Sequence, residues 1–292
     1  MMEGKRINQK TSVNSFKKAK RLNYLFFVIL VMLTVLFLAP IFIVFMNSFK
    51  GQFYISETPF VLPTKETFVG ITNYVNGVDK IGFEKAFFWS LFITISSVVT
   101  IVFFSSMTAW YITRVKNKFN HMLYYLFAFS MIVPFQMVMF TMSKVSNMTR
   151  LDNPLGIIII YLGFGSGLSV FMFSGFVNSI PLEIEEAAMI DGGNPLQTFF
   201  MVVMPILKPI AITVAILNTM WVWNDYLLPN LVIGREYQTI PIAIQYLRGG
   251  YGSIDMGAMM AMLVLAIIPI VIFYLTCQKY IIEGVVAGAV KG

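Results

Sequence analysis

The chain has 292 residues, of which 58% are hydrophobic and only 12% charged, and its formal net charge is +7. Soluble globular domains carry about 25% charged residues. A water-soluble protein of this length could not cover its surface with so few, so most of the chain is expected to lie in lipid. The single cysteine, Cys277, excludes an intramolecular disulfide, and no metal site is expected because His121 lacks partner ligands at useful spacing.

Six apolar runs without charged residues follow in chain order. They cover residues 22–48, 86–113, 122–143, 155–177, 209–224 and 257–277. A helix needs about 20 apolar residues to cross a hydrocarbon core about 30 Å thick. Five runs meet that length, and the fifth in order meets it over 206–228 if Lys208 and Asp225 reach the two interfaces. Since the runs are continuous rather than alternating, we predict an all-α, polytopic membrane protein with six transmembrane helices.

The distribution of basic residues predicts the orientation. Seven Lys and Arg residues precede the first run, whereas only Lys50 follows it closely. Positive residues stay on the cytoplasmic side, so both termini are predicted to be cytoplasmic, and the net charge does not indicate nucleic acid. A cleavable signal peptide is the alternative for the first run, but its apolar core would be only about 7–15 residues long. We therefore divide the chain into a basic cytoplasmic tail (1–23), expected to meet membrane lipids, and a six-helix transmembrane domain (24–292).

The inner connection after the fourth run, residues 179–205, is predicted to form two short helices. Pro181 suits the first position of the first helix, and Gly192 can end that helix with a positive φ. Asn194 can cap the second helix, with Pro195 at its first position. The first turns hold carboxylates, which the helix dipole favours: Glu183, Glu185 and Glu186.

Within this connection, the run Glu186-Ala187-Ala188-x-x-x-Gly192 resembles the EAA loop of ATP-binding-cassette importer permeases. The proline of that pattern is in register at Pro205, while Val and Met replace its Ile and Leu. The resemblance implies that this loop docks into a cleft of an ATPase subunit. The residues implied in the coupling are Glu186, Ala187, Ala188, Asp191, Gly192 and Pro205.

Residues 221–229, residues 278–292 and the opening Asn47-Ser-Phe-Lys50 resemble the smaller permease of maltose-type carbohydrate importers. The resemblance implies a type I ABC importer permease fold in a bacterial cytoplasmic membrane, with a sugar or oligosaccharide as substrate. It also implies three partners: a second homologous permease in a heterodimer, ABC ATPase subunits and an extracytoplasmic solute-binding protein. The chain lacks a Walker phosphate loop, so ATP and Mg are expected on the ATPase, with no cofactor and no enzymatic activity in this chain.

Two further groups are weighed as sites. Near the outer end of the fifth run lie possible substrate-path residues, for which an interfacial aromatic belt is the alternative: Trp221, Trp223, Asn224, Asp225 and Tyr226. The outer connection 230–255 holds possible binding-protein contacts, for which a solvated connector is the alternative: Tyr246, Arg248 and Tyr251. A stand-alone secondary carrier for a small polar solute is the rival function, although the uncharged interiors of all six runs argue against it.

Overall fold

The computed structural model describes residues 2–247 and 254–289, with side chains for residues 20, 22–247 and 254–280. The regular elements described are helical, and Lys50 and Phe68 form an isolated antiparallel bridge. In chain order the elements are α1 (Met2–Asn47), α2 (Gln52–Glu57), α3 (Thr72–Ile81), α4 (Phe83–Arg114), α5 (Lys118–Ser130), α6 (Phe135–Met148), α7 (Pro154–Val177), α8 (Leu182–Ile190), α9 (Pro195–Thr198), a π-helical turn (Phe199–Val203), α10 (Met204–Ile206), α11 (Lys208–Asn224), α12 (Leu227–Val232), α13 (Ile240–Gln245) and α14 (Met256–Ala289).

Four of these helices are long and apolar enough to cross a membrane: Leu22–Asn47 in α1, α4, α7, and Met256–Tyr280 in α14. Two further pairs of helical segments are long and apolar enough only when each pair is taken together, and each pair is sharply bent. They are α5 with α6, and the stretch Pro195–Ile206 with α11. The described residues thus contain four to six candidate spans, depending on whether each bent pair crosses as one span.

The third predicted span, residues 122–143, is not one straight helix. α5 and α6 meet at 107° across Met131–Pro134. The ring of a proline clashes with the carbonyl four residues earlier, and for Pro134 that carbonyl belongs to Ser130, where α5 ends. Pro209 stands in the same relation to Pro205, next to the 76° bend before α11. Hydropathy recorded the apolar length of both segments and missed their breaks.

The chain divides into two compact units. The first contains Met1–Val75 and Asp255–Val264. In it, the segment after α1 is folded on itself rather than extended: the Asn73 amide donates to the carbonyls of Ser48 and Lys50, both at 2.8 Å. Lys50 is fully buried, its Nζ donates to the Thr58 carbonyl at 2.7 Å, and burial lowers the pKa of this amine. The segment between α1 and α3 is therefore a structured element.

The second unit contains Asn76–Ile254 and Leu265–Gly292, and α4, α7 and α11 pack at its centre. Small residues permit this close approach: a Cβ built on Gly165 of α7 would lie 2.6 Å from Ile101 Cδ1 of α4 and 3.0 Å from Asn218 Oδ1 of α11. The Asn218 amide, buried in α11, donates to Ser169 Oγ of α7 at 3.2 Å. Polar groups thus join two helices inside an apolar core.

Candidate functional site

Most of the local structure predicted for residues 179–205 is confirmed, although the second helix, α9, gives way to a π-helical turn after four residues. α8 covers Leu182–Ile190, so Pro181 is the N-cap of this helix and not its first residue, as was predicted. Gly192 has φ +90°, a backbone conformation that residues with a Cβ rarely adopt. Asn194 forms a capping box with Gln197, in which each side chain accepts a hydrogen bond from the other residue's backbone N–H at 2.9 Å, and Pro195 is the first residue of α9.

The residues implied in coupling lie largely on the surface. Those exposed are Glu186, Ala187, Asp191, Gly192 and Pro205, while Ala188 is half-buried. Two apolar side chains at the end of α8 are exposed beside them, Met189 by 46% and Ile190 by 85%. A short helix that presents apolar and acidic side chains together offers a surface that a protein partner can cover.

Glu185, the neighbour of Glu186, points the other way and is buried with 3% of its side chain exposed. Its Oε1 accepts from Arg114 Nε at 2.9 Å and from Arg114 Nη2 at 2.7 Å, and its Oε2 accepts from Trp110 Nε1 at 2.9 Å. Both Arg114 and Trp110 belong to the last turns of α4. Sequence reasoning used Glu185 only for the helix dipole, and it missed this contact between two distant segments.

The second half of the same segment is attached by apolar contacts. Phe199 and Val203 in the π-helical turn, and Leu207 after it, are buried in one core with α4, α7 and α11. The Trp110 ring lies 5.3 Å from the ring of Phe199 between centroids. Trp110 therefore contacts both halves of the 179–205 segment, and π-helical turns are often found at functional sites.

The proposed path residues do not form one cluster in the structure. Trp223 is buried with 5% exposure, packs edge-on against Phe87 and donates from Nε1 to the Ala266 carbonyl at 3.3 Å. Trp221 is 40% exposed, and its ring meets the edge of the buried Tyr161 ring. The two tryptophans thus have different surroundings, and a substrate contact for either stays a prediction.

Asp225 caps and braces a helix end. Its Oδ1 accepts from the backbone N–H of Leu227 at 3.0 Å, at the start of α12, and its Oδ2 accepts from the Tyr161 hydroxyl at 3.0 Å. Asn224 is exposed and donates to the Met220 carbonyl, while Tyr226 is half-buried at the N-cap of α12. Tyr161 was missed, although a hydroxyl inside an apolar run needs a partner and is itself a signal.

We expect Asp225→Ala to destabilise the protein by about 1–3 kcal/mol, because the buried Tyr161 hydroxyl and the first N–H groups of α12 would lose their acceptor. Asp225→Asn keeps an acceptor oxygen and should lower the free energy of unfolding much less. Asn224→Ala, which removes an exposed side chain next in sequence, is the control. Thermal unfolding of the three variants in detergent measures the difference, and equal midpoints for all three would contradict the bracing role.

Of the predicted binding-protein contacts, Tyr246 is described: its hydroxyl donates to Asn230 Oδ1 at 3.2 Å, and the Arg235 guanidinium lies 4.2 Å from its ring centroid. Arg248 and Tyr251 lie outside the described residues. Among the side chains that the structure describes, no group of three or more His, Cys, Asp or Glu residues could hold a metal ion.

Several apolar helices of membrane length, with the exposed short helix α8 after one of them, define a multi-pass membrane protein. Residues 101–286 match the family described as the binding-protein-dependent transport system inner membrane component, and the chain belongs to this family.

Curated relatives match over most of their length. The chain is 37% identical to the "Probable starch degradation products transport system permease protein AmyC" of Thermoanaerobacterium thermosulfurigenes, over 89% of this chain and 94% of the relative. It is 34% identical to the "Multiple sugar-binding transport system permease protein MsmG" of Streptococcus mutans, over 94% of this chain and 100% of the relative. Its fold is similar to a chain in the crystal structure of a bacterial ABC transporter that imports the acidic polysaccharide alginate, with a TM-score of 0.69, 24% identity and coverage of 87% and 94%.

Proposed function

We propose that this chain is the permease subunit of an ATP-binding-cassette importer that carries a sugar or oligosaccharide across the cytoplasmic membrane. Membership in a binding-protein-dependent transport family supports the class of protein. The names of the relatives support the substrate class, since they refer to starch degradation products, to multiple sugars and to melibiose, raffinose and stachyose. With each bent helix pair taken as one span, the chain crosses the membrane six times and has both termini in the cytoplasm.

The observation that carries the coupling role is the exposed face of α8. Its apolar residues Met189 and Ile190 lie between Glu186 of α8 and Asp191 directly after it, while Glu185 fastens the opposite face to the permease itself. We infer that an ATPase subunit covers the exposed face and alone binds ATP and Mg, so that this chain needs no cofactor. A second homologous permease and an extracytoplasmic solute-binding protein complete the importer.

Purification from native membranes tests this proposal. The tagged chain, extracted in mild detergent, is expected to bring a second permease and an ATPase with a Walker phosphate loop, and the complex should hydrolyse ATP in a vanadate-sensitive manner. If the chain emerges alone or as a homo-oligomer without ATPase activity, the proposal fails and a secondary carrier becomes the function to test. Loss of uptake with ionophores would then separate an ion-coupled carrier from an ATP-driven one.

A further inference from the structure

We propose that Arg114, through its contact with Glu185, makes α4, α7 and α8 move as one rigid body, so that displacement of α8 reaches the membrane through α4. This inference rests on the proposed function and assigns the transmission of movement to residues outside the EAA resemblance. Arg114 and Glu185 are positioning residues, because neither is proposed to touch ATP or the transported sugar.

The first argument for a rigid unit comes from the connection between α7 and α8. α7 ends at Val177 and α8 begins at Leu182, so residues 178–181 form an elbow that could bend. Arg114 Nη2 donates to the Ile180 carbonyl in this elbow at 2.9 Å and to Glu185 Oε1 in the first turn of α8 at 2.7 Å. One guanidinium of α4 therefore bonds to the elbow and to the helix that follows it.

The second argument for a rigid unit comes from the geometry of the contact between Arg114 and Glu185. Both carboxylate oxygens of Glu185 accept hydrogen bonds, from Arg114 on one side and from the Trp110 indole on the other. A planar guanidinium with several donors in fixed geometry holds a carboxylate more rigidly than a flexible ammonium group does. Since Glu185 is almost fully buried, water cannot replace a lost partner, and the arrangement is held in one geometry.

The chain between α8 and α11, which the structure describes throughout, lacks a contact of the kind that joins α8 to α4. It passes through the Gly192 turn with its positive φ, through the π-helical turn Phe199–Val203, and through the 76° bend between Ile206 and Lys208. Each of these features interrupts the regular α-helical hydrogen bonding between α8 and α11. The side-chain hydrogen bonds of α8 and of the elbow after α7 lead instead to α4, and they begin at Glu185, next to the exposed Glu186.

The adjacent glutamates give a sharp test. Arg114→Lys and Glu185→Gln are compared with Glu183→Gln, which removes an exposed charge from the same helix, in the complete importer reconstituted in proteoliposomes. The ATPase should still co-purify with Arg114→Lys and Glu185→Gln, while raffinose or maltodextrin transported per ATP hydrolysed falls about tenfold, within the usual range for coupling between sites. Glu183→Gln should keep the wild-type ratio. An unchanged ratio in both Arg114→Lys and Glu185→Gln would overturn the inference.

A distance measurement tests whether α4 and α8 move together, and it does so even if a variant fails to fold or the importer carries a sugar other than raffinose or maltodextrin. Spin labels at Tyr111→Cys in α4 and Glu183→Cys in α8, both exposed, are introduced with Cys277→Ser into the otherwise unchanged complex. The distance between the labels should stay the same when ATP and vanadate trap the ATPase, whereas a shift on trapping would overturn the rigid unit. If the wild-type chain assembles with no ATPase at all, the proposed function itself fails.

Discussion

A chain that carries Glu186→Lys together with Gly192→Pro is expected to reach the membrane but to lose ATPase assembly and sugar uptake completely. Glu186 lies on the exposed face of α8, so its replacement reverses a charge at the proposed docking surface without disturbing the core. Gly192 has φ +90°, whereas proline fixes φ near about −65°, so the turn after α8 cannot keep its form. The two changes alter the chemistry of the surface and the position of its end.

Co-purification of the ATPase and uptake of labelled oligosaccharides into cells measure this prediction. The matched control combines Glu183→Lys, which reverses an exposed charge at the start of the same helix, with Gly192→Asn. Asparagine adopts a positive φ more readily than other residues with a Cβ. The control should assemble and transport. Normal ATPase assembly and uptake in the Glu186→Lys, Gly192→Pro chain would contradict the docking role of α8.

The second large effect is expected at Gly156, in the first turn of α7. A Cβ built there would overlap the backbone of Leu151, a neighbour that cannot rotate away as a side chain can. Leu151 is held by its N–H, which donates to the Ser146 carbonyl at 2.8 Å, and the turn before α7 is also fixed by the Asn153 cap. Gly156→Ala should therefore displace the whole turn and destabilise the protein by about 3 kcal/mol, at the upper end of the usual cost of overpacking.

Gly163→Ala is the control for this experiment, since it adds the same methyl group to the same helix at a position where, apart from the local backbone of α7, nothing lies within 4 Å. Thermal unfolding in detergent, followed by size-exclusion chromatography, should show a lower midpoint and less monodisperse protein for Gly156→Ala only. Alanine also favours a helix over glycine, so Gly163→Ala should be neutral or slightly stabilising. Equal behaviour of the two variants would show that the turn before α7 adapts freely.

Local chemistry explains where sequence reasoning succeeded. The proposed caps of the 179–205 segment depend on residues a few positions apart, and Asn194, Pro195 and Gln197 adopt the conformation that such neighbours favour. The apolar lengths of α4 and α7 were also evident, because a membrane span needs a long stretch without charge. The bend in the third predicted span was missed for a local reason as well: Pro134 interrupts the helix, and a hydropathy count does not register a missing N–H.

The partners of polar groups could not be predicted in the same way. Arg114 and Glu185 are 71 positions apart, and Tyr161 and Asp225 are 64 apart. Nothing in the local pattern shows that these side chains meet, because their contacts depend on how α4, α7, α8 and α11 pack. Glu185 and Glu186 are chemically identical and adjacent in sequence, yet one is buried and the other exposed.

The sequence by itself determined the solvent and the class of this protein. Its low charge requires lipid, its apolar runs showed how many candidate spans the chain can supply, and the pattern from Glu186 to Gly192 pointed to a permease family. Tertiary structure alone decided which glutamate of α8 is directed outward and which helix Arg114 contacts. The physical reason is that composition and spacing act through the surrounding solvent and near neighbours, whereas a buried polar group is satisfied only by what packing brings to it.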